Sequence, residues 1–169
     1  KESMRRANFI IVTKCPHDIK PMGYRVVQKT LDPKPYQRLY FSTFRYGPMR
    51  SLFHEGERLL DDILPSESVL LLTGIASPNQ MELDLQNHTN RITSLAFPDH
   101  HYFTEKDTER INKTFASLPS PKSIITTEKD ATRLYNLTGL NDEVRNSLYV
   151  LPIEVEIMRK ESNNYNDNL

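Results

Sequence analysis

The chain has one cysteine, Cys15, among 169 residues. That excludes an internal disulfide and any cysteine-built zinc cage, and it fits a reducing compartment. It also lacks a charge of one sign. Lys plus Arg and Asp plus Glu each total 22, so the strongly basic face of a nucleic-acid-binding domain is not expected. Its longest apolar runs, such as Val69–Leu72, are far too short to span a bilayer. The apolar stretch Phe9–Val12 is too short for the core of a signal peptide, and no small-residue cleavage site follows it. The three Asn-x-Thr triplets at Asn87, Asn112 and Asn136 therefore read as chance occurrences rather than glycosylation acceptors. Glycine is sparse, at positions 23, 47, 56, 74 and 139. No G-x-x-x-x-G-K-[ST] loop, no G-x-G-x-x-G turn and no G-x-S-x-G elbow exists. These residues cannot cradle a triphosphate by the usual glycine loop.

What is present is an alternation of apolar runs with helical patterns. Asn8–Thr13 reads as a buried strand, and Pro21 opens a helix with Val26, Val27 and Leu31 on one face. Arg38–Phe44 reads as a second strand. Met49, Leu52, Phe53, Gly56, Leu60, Ile63 and Leu64 fall on one face of a predicted helix that Pro65 stops. Ser68–Thr73, apolar throughout, is predicted to be a central strand. Ser77 and Pro78 are expected to cap and open a helix with Met81 and Leu85 inward. Arg91–Phe97 is the fourth strand. Thr104 caps a helix buried through Ile111, Phe115 and Leu118, with Asp107 as its capping-box partner. Ser123–Thr126 is the fifth strand, followed by a helix from Thr127 with Ala131, Leu134 and Tyr135 inward. Tyr149–Ile157 is predicted as a last strand near an edge. The tetrapeptide Thr-Glu-Lys-Asp occurs twice, at 104–107 and 127–130, each time where a strand hands over to a helix. The pattern predicts an α/β fold: a mostly parallel sheet with helices on both faces, Rossmann-like and three-layered. One domain is expected over 1–158, with a polar, disordered tail over 159–169. The chain begins with Lys and runs almost at once into a strand, and is read as a piece of a longer protein.

The candidate chemistry lies at Phe97-Pro98-Asp99-His100-His101-Tyr102-Phe103, where a strand ends and a helix begins. Open α/β sheets bind ligands in the crevice outside such strand ends. Two imidazoles beside a carboxylate give a proton-handling histidine and an aspartate to orient it. An extended backbone here would put Asp99 and His101 on one side and His100 on the other. The bland reading is a surface turn with a structural histidine. A metal reading would use the same three residues as ligands, with Asp107 the further carboxylate at hand. Three more strand ends offer weaker candidates. Thr127 and Lys129 open a helix whose free N–H groups favour an anion, although a capped, solvated helix start reads equally well. Gly74 permits a close backbone approach, and Thr13-Lys14 also ends a strand.

Four segments taken in order, Ile10–Pro16, Leu72–Pro78, Phe97–Phe103 and Thr126–Ala131, resemble the tetraacyldisaccharide 4'-kinase family, the lipid A 4'-kinases of Gram-negative bacteria. The resemblance covers roughly residues 5–155 and places the chain as the C-terminal half of a two-lobed P-loop kinase. It implies that ATP and Mg²⁺ are held mainly by an N-terminal P-loop half, the chain's principal partner. The implied reaction moves the γ-phosphate to the 4'-hydroxyl of a lipid A disaccharide precursor at the cytoplasmic face of the inner membrane. It further implies a catalytic Asp in the other half, assisted by the histidine matched here by His100, with His101 a second candidate. A role for Asp99 in orienting the imidazole comes from the residues alone. Two alternatives stay open at this point: a metal-dependent phosphoesterase using Asp99, His100 and His101, and a non-catalytic substrate-holding domain.

Overall fold

The computed structural model describes residues 3–16, 18–74, 79–99 and 101–158. The predicted Ser77-Pro78 helix start and the predicted tail lie outside the described residues. The elements run β1 (Phe9–Val12), α1 (Pro21–Leu31), β2 (Arg38–Tyr46), β3 (Met49–Ser51), β4 (Glu57–Arg58), β5 (Ser68–Thr73), α2 (Asn79–Leu85), β6 (Ile92–Ala96), α3 (Glu105–Ala116), β7 (Lys122–Thr127), α4 (Glu128–Tyr135), α5 (Asp142–Ser147), β8 (Leu148–Leu151) and β9 (Ile153–Met158). The chain divides into two compact units, Lys1–Arg45 with Glu154–Leu169, and Tyr46–Ile153. The sequence reading has a single domain instead. The division follows from the strands, which form two separate sheets.

The larger unit is built on a six-stranded sheet of order β4-β3-β8-β7-β5-β6. Strands β6, β5, β7 and β8 are parallel, and β3 and β4 add an antiparallel edge. Strand β5 lies between β7 and β6 and every residue in it is buried. Its side chains alternate between two cores. Leu70 and Leu72 join Ile111 and Phe115 of α3, Leu134 of α4 and Val144 of α5. Val69 and Leu71 join Met81 and Leu85 of α2 and Ile63. An unbroken apolar strand is what a sheet covered on both faces demands. The α/β, mostly parallel, helix-flanked architecture read from the sequence is present in this unit.

The smaller unit holds a three-stranded sheet of order β1-β2-β9. Strands β1 and β2 are parallel and joined through α1. Tyr24, Val27 and Leu31 of α1 pack with Ile10, Val12, Leu39 and Phe41 on one face. Strand β1 was expected to be buried; instead Phe9 and Ile11, which point to the opposite face, are exposed. Val26 is exposed on the outside of α1, and Tyr24 takes the inward position expected of it.

Two local readings are overturned, and one helix goes unread in the sequence. No α-helix forms over Met49–Leu64, where a short 3₁₀ turn at Leu60–Asp62 is the one helical piece. Arg50 and Ser51 pair with Val150 and Tyr149 of β8, and the Ser51 N–H donates to the Gly56 carbonyl at 3.0 Å. Gly56 has φ +150°, a conformation foreign to a helix. Long-range ladder bonds therefore outweigh a periodicity already weakened by a central glycine. The single strand expected over Tyr149–Ile157 is two strands in different sheets, split at Pro152, which has no N–H to donate to a ladder. Helix α5 was not foreseen. Its cap is Asn141, whose side chain accepts from the Val144 N–H at 2.8 Å.

Candidate functional site

The parallel strands fix where a crevice opens. The connection leaving β5 leads to α2 on one face, and those leaving β6 and β7 lead to α3 and α4 on the other. Neighbouring strands whose connections diverge in this way leave a cleft outside their carboxyl ends. Gly74 follows β5, Asp99 follows β6, and Thr127–Asp130 join β7 to α4. These three candidate segments are brought to one end of one sheet.

The two Thr-Glu-Lys-Asp copies explain how the segments are held. Both threonines are N-caps, and in both the aspartate sits three residues on. In the first copy Asp107 Oδ2 accepts from the Thr104 N–H and hydroxyl, each at 2.8 Å. The same oxygen lies 2.9 Å from His101 Nε2. In the second, buried Asp130 accepts from the Thr127 hydroxyl at 2.8 Å and, across the crevice floor, from the Gly74 N–H at 2.9 Å. A Cβ on Gly74 would stand 2.9 Å from Asp130 Oδ1, so the bare glycine is required for this approach. Asp130 Oδ1 also lies 3.7 Å from Arg133 Nη1. Next to Asp130, Lys129 pairs with Asp99. The first turn of α4 thus grips the loops after β5 and β6 with consecutive side chains.

The His101 N–H donates to the Pro98 carbonyl at 3.1 Å. Asp99 and His101, expected on one side of an extended run, take different partners. The His101 ring stacks on Phe97, centroids 5.0 Å apart, and meets Phe103 edge-on at 5.3 Å. For His101 the orienting carboxylate is Asp107 rather than Asp99. Burial pushes the Asp107 carboxyl up, but hydrogen bonds from His101 and from the Thr104 hydroxyl and N–H outweigh it and hold the group below the ordinary aspartate range. An ionised carboxylate only accepts, so Nε2 carries the hydrogen and the tautomer is set. His101 is thus a clamped imidazole. His100, the leading candidate, lies outside the described residues.

The other candidates sort by accessibility. Thr127 is buried with its hydroxyl engaged by Asp130, so it serves the cap and not an incoming ligand. Lys129 and Asp99 are both partly exposed at the crevice. Gly74 is committed to Asp130. Thr13 and Lys14 are exposed residues of the smaller unit, Lys14 with a left-handed φ of 59°. Sequence reasoning missed Asp130. Its signal was the repeated tetrapeptide, whose fourth residue in each copy reaches out of its own helix cap to a crevice loop. Among the described residues no group of three or more His, Cys, Asp or Glu side chains could hold a metal ion. Among them, too, no helix is long and apolar enough to cross a membrane.

Comparison with known proteins points to one family. The family described as LpxK, tetraacyldisaccharide-1-P 4'-kinase, matches residues 1–168. A tetraacyldisaccharide 4'-kinase of Bacteroides fragilis is 44% identical over 173 residues, covering 99% of this chain and 46% of its own length. One from Phocaeicola vulgatus is 45% identical over 166 residues, covering 97% of this chain and 45% of its own length. The chain thus spans about half the length of the curated relatives it matches. Among solved structures, that of LpxK from Aquifex aeolicus in complex with ATP superposes with a TM-score of 0.52 at 16% identity, over 96% of this chain and 42% of the other. At that identity the likeness concerns the fold.

Proposed function

The chain belongs to the tetraacyldisaccharide 4'-kinase family, and on that premise we propose that it forms part of an ATP-dependent kinase of lipid A biosynthesis. The reaction is transfer of the γ-phosphate to the 4'-hydroxyl of the tetraacyldisaccharide 1-phosphate precursor. It takes place at the cytoplasmic face of the bacterial inner membrane, where the full-length protein meets a lipid substrate.

The observation that carries the proposal is the anchoring of Asp99 and His101 beyond the carboxyl end of β6. Asp99 is paired with Lys129 on one side, and His101 is clamped by Asp107, Phe97 and Phe103 on the other. His100 lies between these two anchored residues in sequence. Phosphoryl transfer depends mainly on positioning and on stabilising charge. In this reading the His100 imidazole polarises a catalytic carboxylate in the N-terminal half and so helps it take the proton of the sugar hydroxyl. Lys129 offers a cation near the precursor's phosphate once it exchanges Asp99 for that anion.

The chain's residues do not fit the whole reaction. The sequence has no glycine loop for the triphosphate, and the described residues have no carboxylate cluster for Mg²⁺. No step is therefore routed through the metal here, and nucleotide and Mg²⁺ binding are assigned to the N-terminal half. The phosphoesterase alternative would require Asp99 and His101 to leave the partners they hold here, Lys129 and Asp107.

The test is His100→Ala in the full-length enzyme, assayed for kcat and for KM of ATP. The expected result is a kcat lowered by about 10²–10⁴ with KM for ATP nearly unchanged. An unchanged kcat would remove His100 from the mechanism.

A further inference from the structure

The smaller unit has a finished layer on one side of its sheet and an open one on the other. On the first side α1 covers Ile10, Val12, Leu39 and Phe41. Alternation along β1 sends Phe9 and Ile11 to the second side, where the Phe9 ring lies beside that of Tyr40, centroids 6.2 Å apart. On β9, Met158 packs with the α1 core, so Val155 and Ile157 also point to the second side. Phe9 is 60% exposed, Ile11 54%, Val155 63% and Ile157 48%. All three strands thus carry large apolar side chains on one solvent-facing surface.

Two principles make that surface an interface. Parallel strands joined through a helix occur almost only in sheets covered on both faces. A contiguous exposed apolar patch marks an interaction site. We propose that the face of Phe9, Ile11, Val155 and Ile157 seats an apolar helix from the part of the family's polypeptide that lies outside this chain. The proposal rests on the family reading and names where the two halves of that longer polypeptide meet.

Three observations select this occupant. The Bacteroides fragilis relative is matched over only 46% of its length, so a covalently joined segment longer than this chain is there to cover the face. Four side chains are also a small patch beside the roughly 800 Å² per partner of a stable interface. A tethered segment tolerates a small contact because its effective concentration is high; two free copies do not. Finally, Arg38, in register with Phe9, is the one cation among the strand residues of this face. Arg25 and Lys29 belong to α1 on the opposite layer. Among the described strand residues of this face, an anionic lipid surface would find a single basic side chain to hold it.

The test is thiol labelling by a maleimide. One sample is this chain carrying Ile11→Cys, Val155→Cys or, as a control on the outer side of α1, Met22→Cys. The other is the full-length Bacteroides fragilis relative with cysteine at the aligned positions, each labelled peptide identified by mass. In the chain alone all three sites are expected to label quickly. In the full-length protein labelling at the positions aligned with Ile11 and Val155 should slow at least tenfold, while that aligned with Met22 stays fast. Equal rates in both samples would overturn the proposal. So would protection of the isolated chain that grows with its own concentration, which would mean a second copy. Protection of the full-length protein that requires phosphatidylglycerol vesicles would overturn it in favour of a membrane. Labelling does not depend on turnover, so loss of the kinase reading through His100→Ala would leave this result standing, and the reverse.

Discussion

The two units show what completes a sheet and what leaves it waiting. In the larger one, β5 carries leucines to both faces and finds α3, α4 and α5 on one side and α2 on the other. In the smaller one, β1 carries apolar residues to both faces and finds α1 on one side alone. Local sequence is similar in the two strands, short runs of Ile, Leu and Val, and their burial is opposite. The run specifies a strand; the number of layers around it decides whether it becomes a core. The finished unit holds the braced crevice, and the unfinished one presents the docking face.

The sharpest way to break this contrast is stability. Phe115 is wholly buried between α3 and the sheet, and Phe115→Ala should cost about 3–5 kcal/mol. Phe9→Ala removes a ring of the same size from an open face and should stay within about 0.5 kcal/mol. Urea unfolding of the two variants checks both values, and comparable losses would mean that the face of β1 is already covered. Next comes the ion pair under β5. Arg58 Nη1 and Nη2 donate to the Glu67 carboxylate at 2.9 and 3.0 Å, and the Ser123 hydroxyl donates as well. Glu67→Ala strands a largely buried guanidinium and should cost about 3 kcal/mol by the same assay.

Acid should expose the same pair. Burial pushes the Glu67 carboxyl up, but the bonds from Arg58 and Ser123 outweigh it and set the folded-state pKa below the ordinary glutamate value. Asp107 is depressed too. The unfolded chain then binds protons more readily than the folded one. The stability these groups supply is therefore fully present above the unfolded pKa of about 4 and is lost as pH falls through the folded values. Unfolding midpoints measured between pH 3 and 7 should fall steeply at the acid end, and Glu67→Gln should flatten that fall.

Smaller effects are expected around the crevice. Asp130→Ala leaves the Gly74 N–H and the Thr127 hydroxyl without their acceptor and should cost about 1–3 kcal/mol, with kcat of the full-length enzyme reduced because the loops after β5 and β7 are no longer tied. Lys129→Ala breaks a partly exposed ion pair and should cost no more than about 1 kcal/mol. Its effect belongs in the KM for the phosphorylated precursor. A Lys129→Ala enzyme with unaltered KM would show that the lysine serves only Asp99.

Much of the fold was legible because its signals are local. The central strand Ser68–Thr73, the Thr104 cap with Asp107, and the Pro21 start of α1 occur as predicted. The failures are tertiary. Met49–Leu64 has a helical period, but its backbone is claimed by β8 and by a turn at Gly56. Tyr135, expected inside, is exposed and stacks on Phe53 at 5.8 Å. At the site, the strand-end placement of Gly74, Asp99 and Lys129 follows from alternating strands and helices, and so could be read in advance. Their pairings could not. Lys129 with Asp99 and Asp130 with Gly74 join residues 30 and 56 positions apart, and His101 pairs with Asp107 where Asp99 was the expected carboxylate.

The central claim, put forward as a proposal, is that an imidazole at position 100 helps a carboxylate of the N-terminal half take the proton of the sugar hydroxyl. Chemical rescue tests it most directly. In the full-length His100→Ala enzyme, free imidazole should restore kcat in a concentration-dependent manner, and more strongly as pH rises through the imidazole pKa, while leaving the wild type unaffected. A variant that imidazole does not rescue at any pH, though it binds both substrates normally, would contradict it.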